Sequence, residues 1–167
     1  EILRQGGTAA DAAIAAELVL GLVEPQSSGL GGGAFLVYWD AQSRSLATFD
    51  GRETAPAAAK PDRFLRDGKP VPFEAAVRSG LSVGVPGLMR TLEAVHRRFG
   101  KLPWASLFAP AIKLAEEGFA VSPRLAALLA ASKAENFSAG ARARFFDEND
   151  TPIPAGDVMT NAAYAAT

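Results

Sequence analysis

Apolar and small residues run from Ala9 to Val23 with only Asp11 and Glu17 interrupting them, and the spacing predicts a single helix over that stretch. Thr8 reads as its N-cap, with Asp11 at the third helical position in the manner of a capping box. Small or aliphatic side chains lie nearly all round the helix, so burial on more than one side is expected. From Ala34 to Trp39 the pattern changes to period two, with Phe35, Val37 and Trp39 on one face and Ala34, Leu36 and Tyr38 on the other. Both faces are apolar and both are expected to be covered. Leu46 to Phe49 reads as the antiparallel partner strand, across a polar loop at Asp40 to Arg44. A helix, a hairpin and a covered sheet suggest a layered α/β sandwich.

Prolines 56, 61, 70 and 72 break the segment from Thr54 to Pro72, which reads as loop with one turn of helix near Asp62 to Arg66. Beyond it the chain is mostly helical. Pro86 suits the first turn of a helix that runs to Phe99 and stops at Gly100, with Leu88, Leu92, Val95 and Phe99 as its apolar stripe. A second helical stretch spans Pro103 to Glu117, kinked or restarted at Pro110, and ends at Gly118. Ser122 caps a third helix with Pro123 in its first turn. From Ser138 to Thr160, turn signals at Asn149-Asp150 and Ala155-Gly156 bracket short extended pieces. Glu1 to Gln5 resembles the last turn of a helix capped by Gly6 and Gly7, and Asn161 to Thr167 the first turns of another. Residues 1–167 are therefore expected to be a single partial domain. Residues 1–56 would form the helix and β-hairpin of the sandwich, and residues 57–167 a mostly helical region.

Composition narrows the possible partners. With 17 Lys and Arg against 18 Asp and Glu, the formal charge of −1 offers no basic field for nucleic acid or an anionic membrane. Hydrophobic residues make up 49% and charged residues 21% of the chain, a globular balance. Cysteine is absent and there is one histidine, so neither thiolate nor multi-histidine metal sites can form. The apolar run at Ala12 to Val23 is too short, and too interrupted by charge, to span a membrane. Neither a metal nor an organic cofactor is called for.

Three motifs bear on chemistry. Gly29-x-Gly31-x-x-Ala34 formally fits the dinucleotide-binding pattern, but that pattern needs a strand before the glycines and a helix after, and here the order is reversed. These glycines read instead as small residues that let backbone pass close to backbone. Gly80-Leu81-Ser82-Val83-Gly84 spells GxSxG, yet a polar stretch precedes it where a nucleophile elbow needs a buried strand. The lone His96 lies in the following helix and reads as a surface or boundary residue rather than a catalyst. The acidic groups at Glu116-Glu117 and around Asp147, Glu148 and Asp150 lack metal-loop spacing and read as solvated charge. Arg52, in FDGRETAP at the end of the second strand, stands apart. A guanidinium fixed by a nearby carboxylate at a strand end is shaped for bidentate capture of a substrate carboxylate. From residue types alone, the commoner outcome is an exposed pair with Asp50 or Glu53.

Several long segments resemble the large-subunit region of the γ-glutamyltransferase family (γ-glutamyltranspeptidase, or glutathione hydrolase), in the family's order. They are GGTAADAAIAAELVLGLVEPQSSGLGGGAFLVYWD from Gly6 to Asp40, FDGRETAPAAA from Phe49 to Ala59, SVGVPG from Ser82 to Gly87, and FGKLPWASLFAPAIKLAEEGFAVSPRLA from Phe99 to Ala126. The resemblance implies an N-terminal-nucleophile hydrolase fold, an αββα sandwich of which this chain holds part, with a mostly helical second half. It implies a precursor that cleaves itself into large and small subunits and exposes a threonine nucleophile that forms a γ-glutamyl acyl-enzyme. That threonine has no counterpart here; Thr167 is not it, so the chain is expected to carry no catalytic residue and to be inactive without the small subunit. One site residue carries over: Arg52, matching the arginine that holds the α-carboxylate of the γ-glutamyl substrate. The resemblance also implies a periplasmic or secreted parent. A related cephalosporin or glutaryl acylase, or a non-catalytic helical interaction module, are the alternatives. With its complementary half missing, the chain is expected to expose apolar surface and self-associate.

Overall fold

The computed structural model describes all residues, 1–167. A 3₁₀ turn at Ile2–Gln5 leads to α1 (Ala9–Val23), β1 (Ala34–Asp40) and β2 (Ser45–Gly51). A small hairpin, β3 (Leu65–Arg66) and β4 (Lys69–Pro70), precedes α2 (Phe73–Val77) and α3 (Leu88–Phe99). The rest comprises α4 (Ala109–Glu117), β5 (Phe119–Ala120), α5 (Pro123–Ala130), α6 (Ala139–Phe145), β6 (Val158–Met159) and α7 (Ala162–Ala166). No helix is long and apolar enough to cross a membrane. Two compact units emerge, one of Glu1–Gly29 with Ala94–Thr167 and one of Leu30–Glu93.

In the first unit, α1 begins where its capping residues say it should. Thr8 Oγ1 accepts from the Asp11 amide at 3.2 Å, and Asp11 Oδ2 accepts from the Thr8 amide at 2.8 Å. Burial follows Ala10, Asp11, Ile14, Ala15, Leu18, Gly21 and Leu22, a single stripe, while Ala13, Ala16 and Leu20 are exposed. The expectation of burial on several sides is corrected: alanine is compatible with either environment, so its spread round the helix did not report one. Leu22, Ala115, Phe119, Val121, Leu125, Leu129 and Phe146 form one core with Met159. Tyr164 of α7 donates its hydroxyl to Leu18 O at 2.7 Å.

Asp11 does more than cap. Its fully buried carboxylate also accepts from the amides of Lys101, at 3.0 Å, and Leu102, at 3.3 Å, about ninety residues away. His96 Nε2 lies 3.8 Å from the same carboxylate and 2.8 Å from Leu102 O, to which it must donate. His96 is thus a half-buried structural residue.

In the second unit, β1 and β2 pair antiparallel from Ala34↔Gly51 to Asp40↔Ser45. Phe35 and Val37 are each 67% exposed and Trp39 58%, so residues 1–167 cover the sheet on one face only and leave the apolar surface expected of a partial sandwich. The alternation assigns residues to faces correctly. Only the face bearing Ala34, Leu36, Tyr38, Ala47 and Phe49 is covered within these residues.

The backbone around the end of β2 is crowded. A Cβ on Gly51 would lie 1.8 Å from Thr91 Oγ1, and one on Gly87 would lie 2.2 Å from Gly51 O. Gly32 O accepts from the amides of Gly87 (3.1 Å) and Leu88 (3.0 Å), and α3 starts there, leaving Pro86 just outside the helix rather than in its first turn. Close passage holds at Gly33, where a Cβ would meet Gly51 O at 2.5 Å, whereas a Cβ added at Gly29 or Gly31 would meet nothing within 4 Å. Two further expectations are corrected. Asp62 to Arg66 holds a hydrogen-bonded turn, Leu65 N to Asp62 O at 2.8 Å, but no helix, because Leu65 and Arg66 pair with Lys69 and Pro70 across the tight turn at Asp67 (φ 52°) and Gly68 (φ 74°). Ser138 caps α6, a helix within a stretch expected to be extended.

Gly87→Ala is expected to lower unfolding stability by about 1–3 kcal/mol or more through this steric conflict, whereas Gly31→Ala should leave it within about 0.5 kcal/mol; chemical denaturation of both variants checks this. Burial pushes the Asp11 pKa up, but the hydrogen bonds from Thr8, Lys101 and Leu102 outweigh it and hold the group below its ordinary value. Its stabilisation is therefore complete above the unfolded value of about 3.9 and drains away as pH falls through the lower folded value. Asp11→Asn should cost about 1–3 kcal/mol near neutrality and flatten that acid limb, as read from denaturation midpoints across the acid range.

Candidate functional site

Arg52 directly follows the last residue of β2, and its backbone is tightly held. Its amide donates to Asp50 Oδ1 at 3.0 Å. Two residues on, Thr54 pairs with Val85, with Thr54 N to Val85 O at 3.3 Å and Val85 N to Thr54 O at 2.8 Å. Gly87 closes the third side, since a Cβ there would come within 3.0 Å of Arg52 O. The Asp50 carboxylate is engaged with the Arg52 amide, and the carboxylate beside the guanidinium is Glu53, with Oε2 3.4 Å from Nε. The Arg52 side chain is 71% exposed and its two terminal nitrogens make no hydrogen bond within the chain.

That side chain stands on the rim of a cleft of about 530 Å³ lined by Gly31, residues 52–56, Ala59, Arg63, Phe64 and residues 81–84. Such a volume lies within the usual range for small-molecule sites, about 300–1,000 Å³. Its charged lining consists of Arg52, Glu53 and Arg63. A guanidinium whose ion pair lies on the Nε side keeps its outer edge for a two-pronged bond to a carboxylate. Arg63 is a cleft residue that the sequence did not reveal: it falls in a proline-broken segment with no periodicity. It donates from Nη2 to Gly80 O at 3.0 Å and from Nε to Leu81 O, tying one wall of the cleft to another.

The remaining candidates are placed as follows. Ser82 lies in a 3₁₀ turn, Gly80–Ser82, and its hydroxyl donates to the carbonyls of Val77 (3.3 Å) and Ser79 (3.2 Å). With α2 rather than a strand before it and no base beside it, GxSxG is not a nucleophile elbow. Gly29 and Gly31 follow α1 and precede β1, the reverse of the dinucleotide-binding order. Glu117 pairs with Lys113 at 3.8 Å on the surface. Asp150 makes a two-pronged pair with Arg142, both bonds 2.6 Å, and Asp147 Oδ1 accepts the amides of Asn149 and Thr151. The acidic turn thus stabilises itself, and no cluster of three or more His, Cys, Asp or Glu is arranged around a metal position.

The sequence profile described as gamma-glutamyltranspeptidase matches residues 1–167, and the chain belongs to that family. Over 168 aligned residues it is 38% identical to a glutathione hydrolase proenzyme of Bacillus subtilis (strain 168), covering 100% of this chain but 28% of that protein. The chain therefore spans little more than a quarter of that relative. The Helicobacter pylori gamma-glutamyltranspeptidase crystal structure superposes with a TM-score of 0.91 at 33% identity, over 99% of this chain and 47% of that one. A cephalosporin acylase from Bacillus halodurans superposes at 0.77 with 27% identity, over 99% of this chain and 31% of that one. The mixed α/β fold is thereby that of the N-terminal-nucleophile hydrolases, of which this chain holds part.

If Ser82 is a turn residue, a fluorophosphonate probe for activated serines should leave it unlabelled. Mass spectrometry finding the probe on the Ser82 peptide would reinstate the elbow.

Proposed function

We propose that this chain is part of an enzyme that cleaves γ-glutamyl amides of the glutathione type through a threonine acyl-enzyme, passing the glutamyl group to water or an amino acceptor. The observation that carries this reading is Arg52: a guanidinium beside Glu53 on a hydrogen-bonded, crowded stretch of backbone, its outer edge free at the rim of a cleft. A substrate α-carboxylate fits that edge, and holding it would fix the γ-carbonyl for attack. The attacking threonine is supplied by the small subunit of the same precursor, outside residues 1–167. Its hydroxyl oxygen adds to the amide carbon while its own α-amino group takes the proton and then delivers it to the departing amine. The resulting ester is released by water or by a second amine. The relative's designation as a proenzyme supports division of a precursor. On this reading, the open face of Phe35, Val37 and Trp39 packs against the remainder of the sandwich. Family resemblance further supports a periplasmic or secreted location.

The likeness to a cephalosporin acylase favours a second reading, the same acyl-enzyme chemistry on amides lacking an α-carboxylate. Arg52 separates the two. In the full-length enzyme, Arg52→Lys and Arg52→Ala should raise KM for a γ-glutamyl amide roughly 10–150-fold, the equivalent of about 1.5–3 kcal/mol, and lower kcat as the γ-carbonyl loses its alignment. The corresponding 4-aminobutanoyl amide, which lacks the carboxylate, should react alike with wild type and variants. Steady-state kinetics in which KM for the γ-glutamyl amide does not move would select the acylase.

A further inference from the structure

We propose that Arg63 forms a second anion subsite in the same cleft, one that takes a carboxylate carried by the leaving or accepting amine. The proposal rests on the reading of Arg52 as the clamp for the acyl-side carboxylate. Arg63 is half-buried, lines the cleft, and makes its side-chain bonds to two backbone carbonyls, those of Gly80 and Leu81. It has no carboxylate partner. A partly desolvated guanidinium without a counter-ion is an unbalanced charge, which an incoming anion would balance. Two of its five N–H groups are engaged by the carbonyls, and the others are available to a ligand. Because those two bonds already fix the side chain, capturing an anion there costs little further conformational entropy.

The charge balance of the lining points the same way. Arg52 and Arg63 against Glu53 leave the cleft with one net positive charge. A γ-glutamyl group is itself neutral, since its α-ammonium offsets its α-carboxylate. A γ-glutamyl amide whose amine half bears a carboxylate carries one net negative charge and complements the cleft. An amide of a neutral amine does not.

The test compares γ-glutamylglycine with γ-glutamyl methylamide on the full-length enzyme. Wild type should show the lower KM for the glycine amide, and that preference should shrink as ionic strength rises. Arg63→Gln should raise KM for γ-glutamylglycine about tenfold, the scale of one charge-assisted hydrogen bond, while leaving the methylamide within about twofold. A wild-type enzyme with no preference for the glycine amide overturns the subsite without any variant, even if Arg63→Gln misfolds. An equal rise for both amides also overturns it and leaves Arg63 as a brace between two walls. Failure of the Arg52 reading is separately visible: Arg52→Lys would then not alter KM for either amide, whatever Arg63→Gln does.

Discussion

Everything at the cleft depends on how closely three pieces of backbone pass at the end of β2. Gly51 admits the Thr91 hydroxyl where its own side chain would begin, and Gly87 lies against the Gly51 carbonyl. Gly33 completes the crossing from the start of β1. No residue with a Cβ fits Gly51 or Gly87 without moving backbone, so a strand end that would ordinarily fray is immobilised. Arg52 inherits that rigidity. The Thr54–Val85 pairing and the Asp50 carboxylate then set the direction in which the chain leaves the sheet.

The other unit is organised round a single buried charge. Asp11 belongs to the first turn of α1, yet its oxygens collect amides from both ends of a ninety-residue excursion. Burying a carboxylate is costly unless nearly every lone pair is used. Here that condition is met by the amides of Thr8, Lys101 and Leu102 together with the Thr8 hydroxyl, and the two distant donors are backbone groups that survive side-chain substitution at Lys101 or Leu102. His96 completes the surroundings by donating to the Leu102 carbonyl.

Local signals were legible in the sequence and distant ones were not. The Thr8–Asp11 box, the Ser122 cap and the β1–β2 pairing all rest on residues a few positions apart, and each formed as read. Asp11 as a cross-chain anchor was hidden because its partners are main-chain amides, which leave no imprint on residue identity. The β3–β4 turn was obscured by flanking prolines, although Asp67-Gly68 is a hairpin signal in its own right. Period-two alternation identified the faces of the hairpin but not which of them would be covered. At the cleft, Arg52 was singled out by its motif, whereas Arg63 is defined by contacts with Gly80 and Leu81, seventeen and eighteen residues further along.

Gly31 offers a contrast to the glycines of the crossing. It borders the cleft, yet its surroundings are empty and its backbone is not in the left-handed region. The first carbon of a side chain could project there without touching the scaffold that carries Arg52. Diversification at this one position could therefore recut the shape and polarity of the cleft mouth, separating the evolution of selectivity from the evolution of the framework.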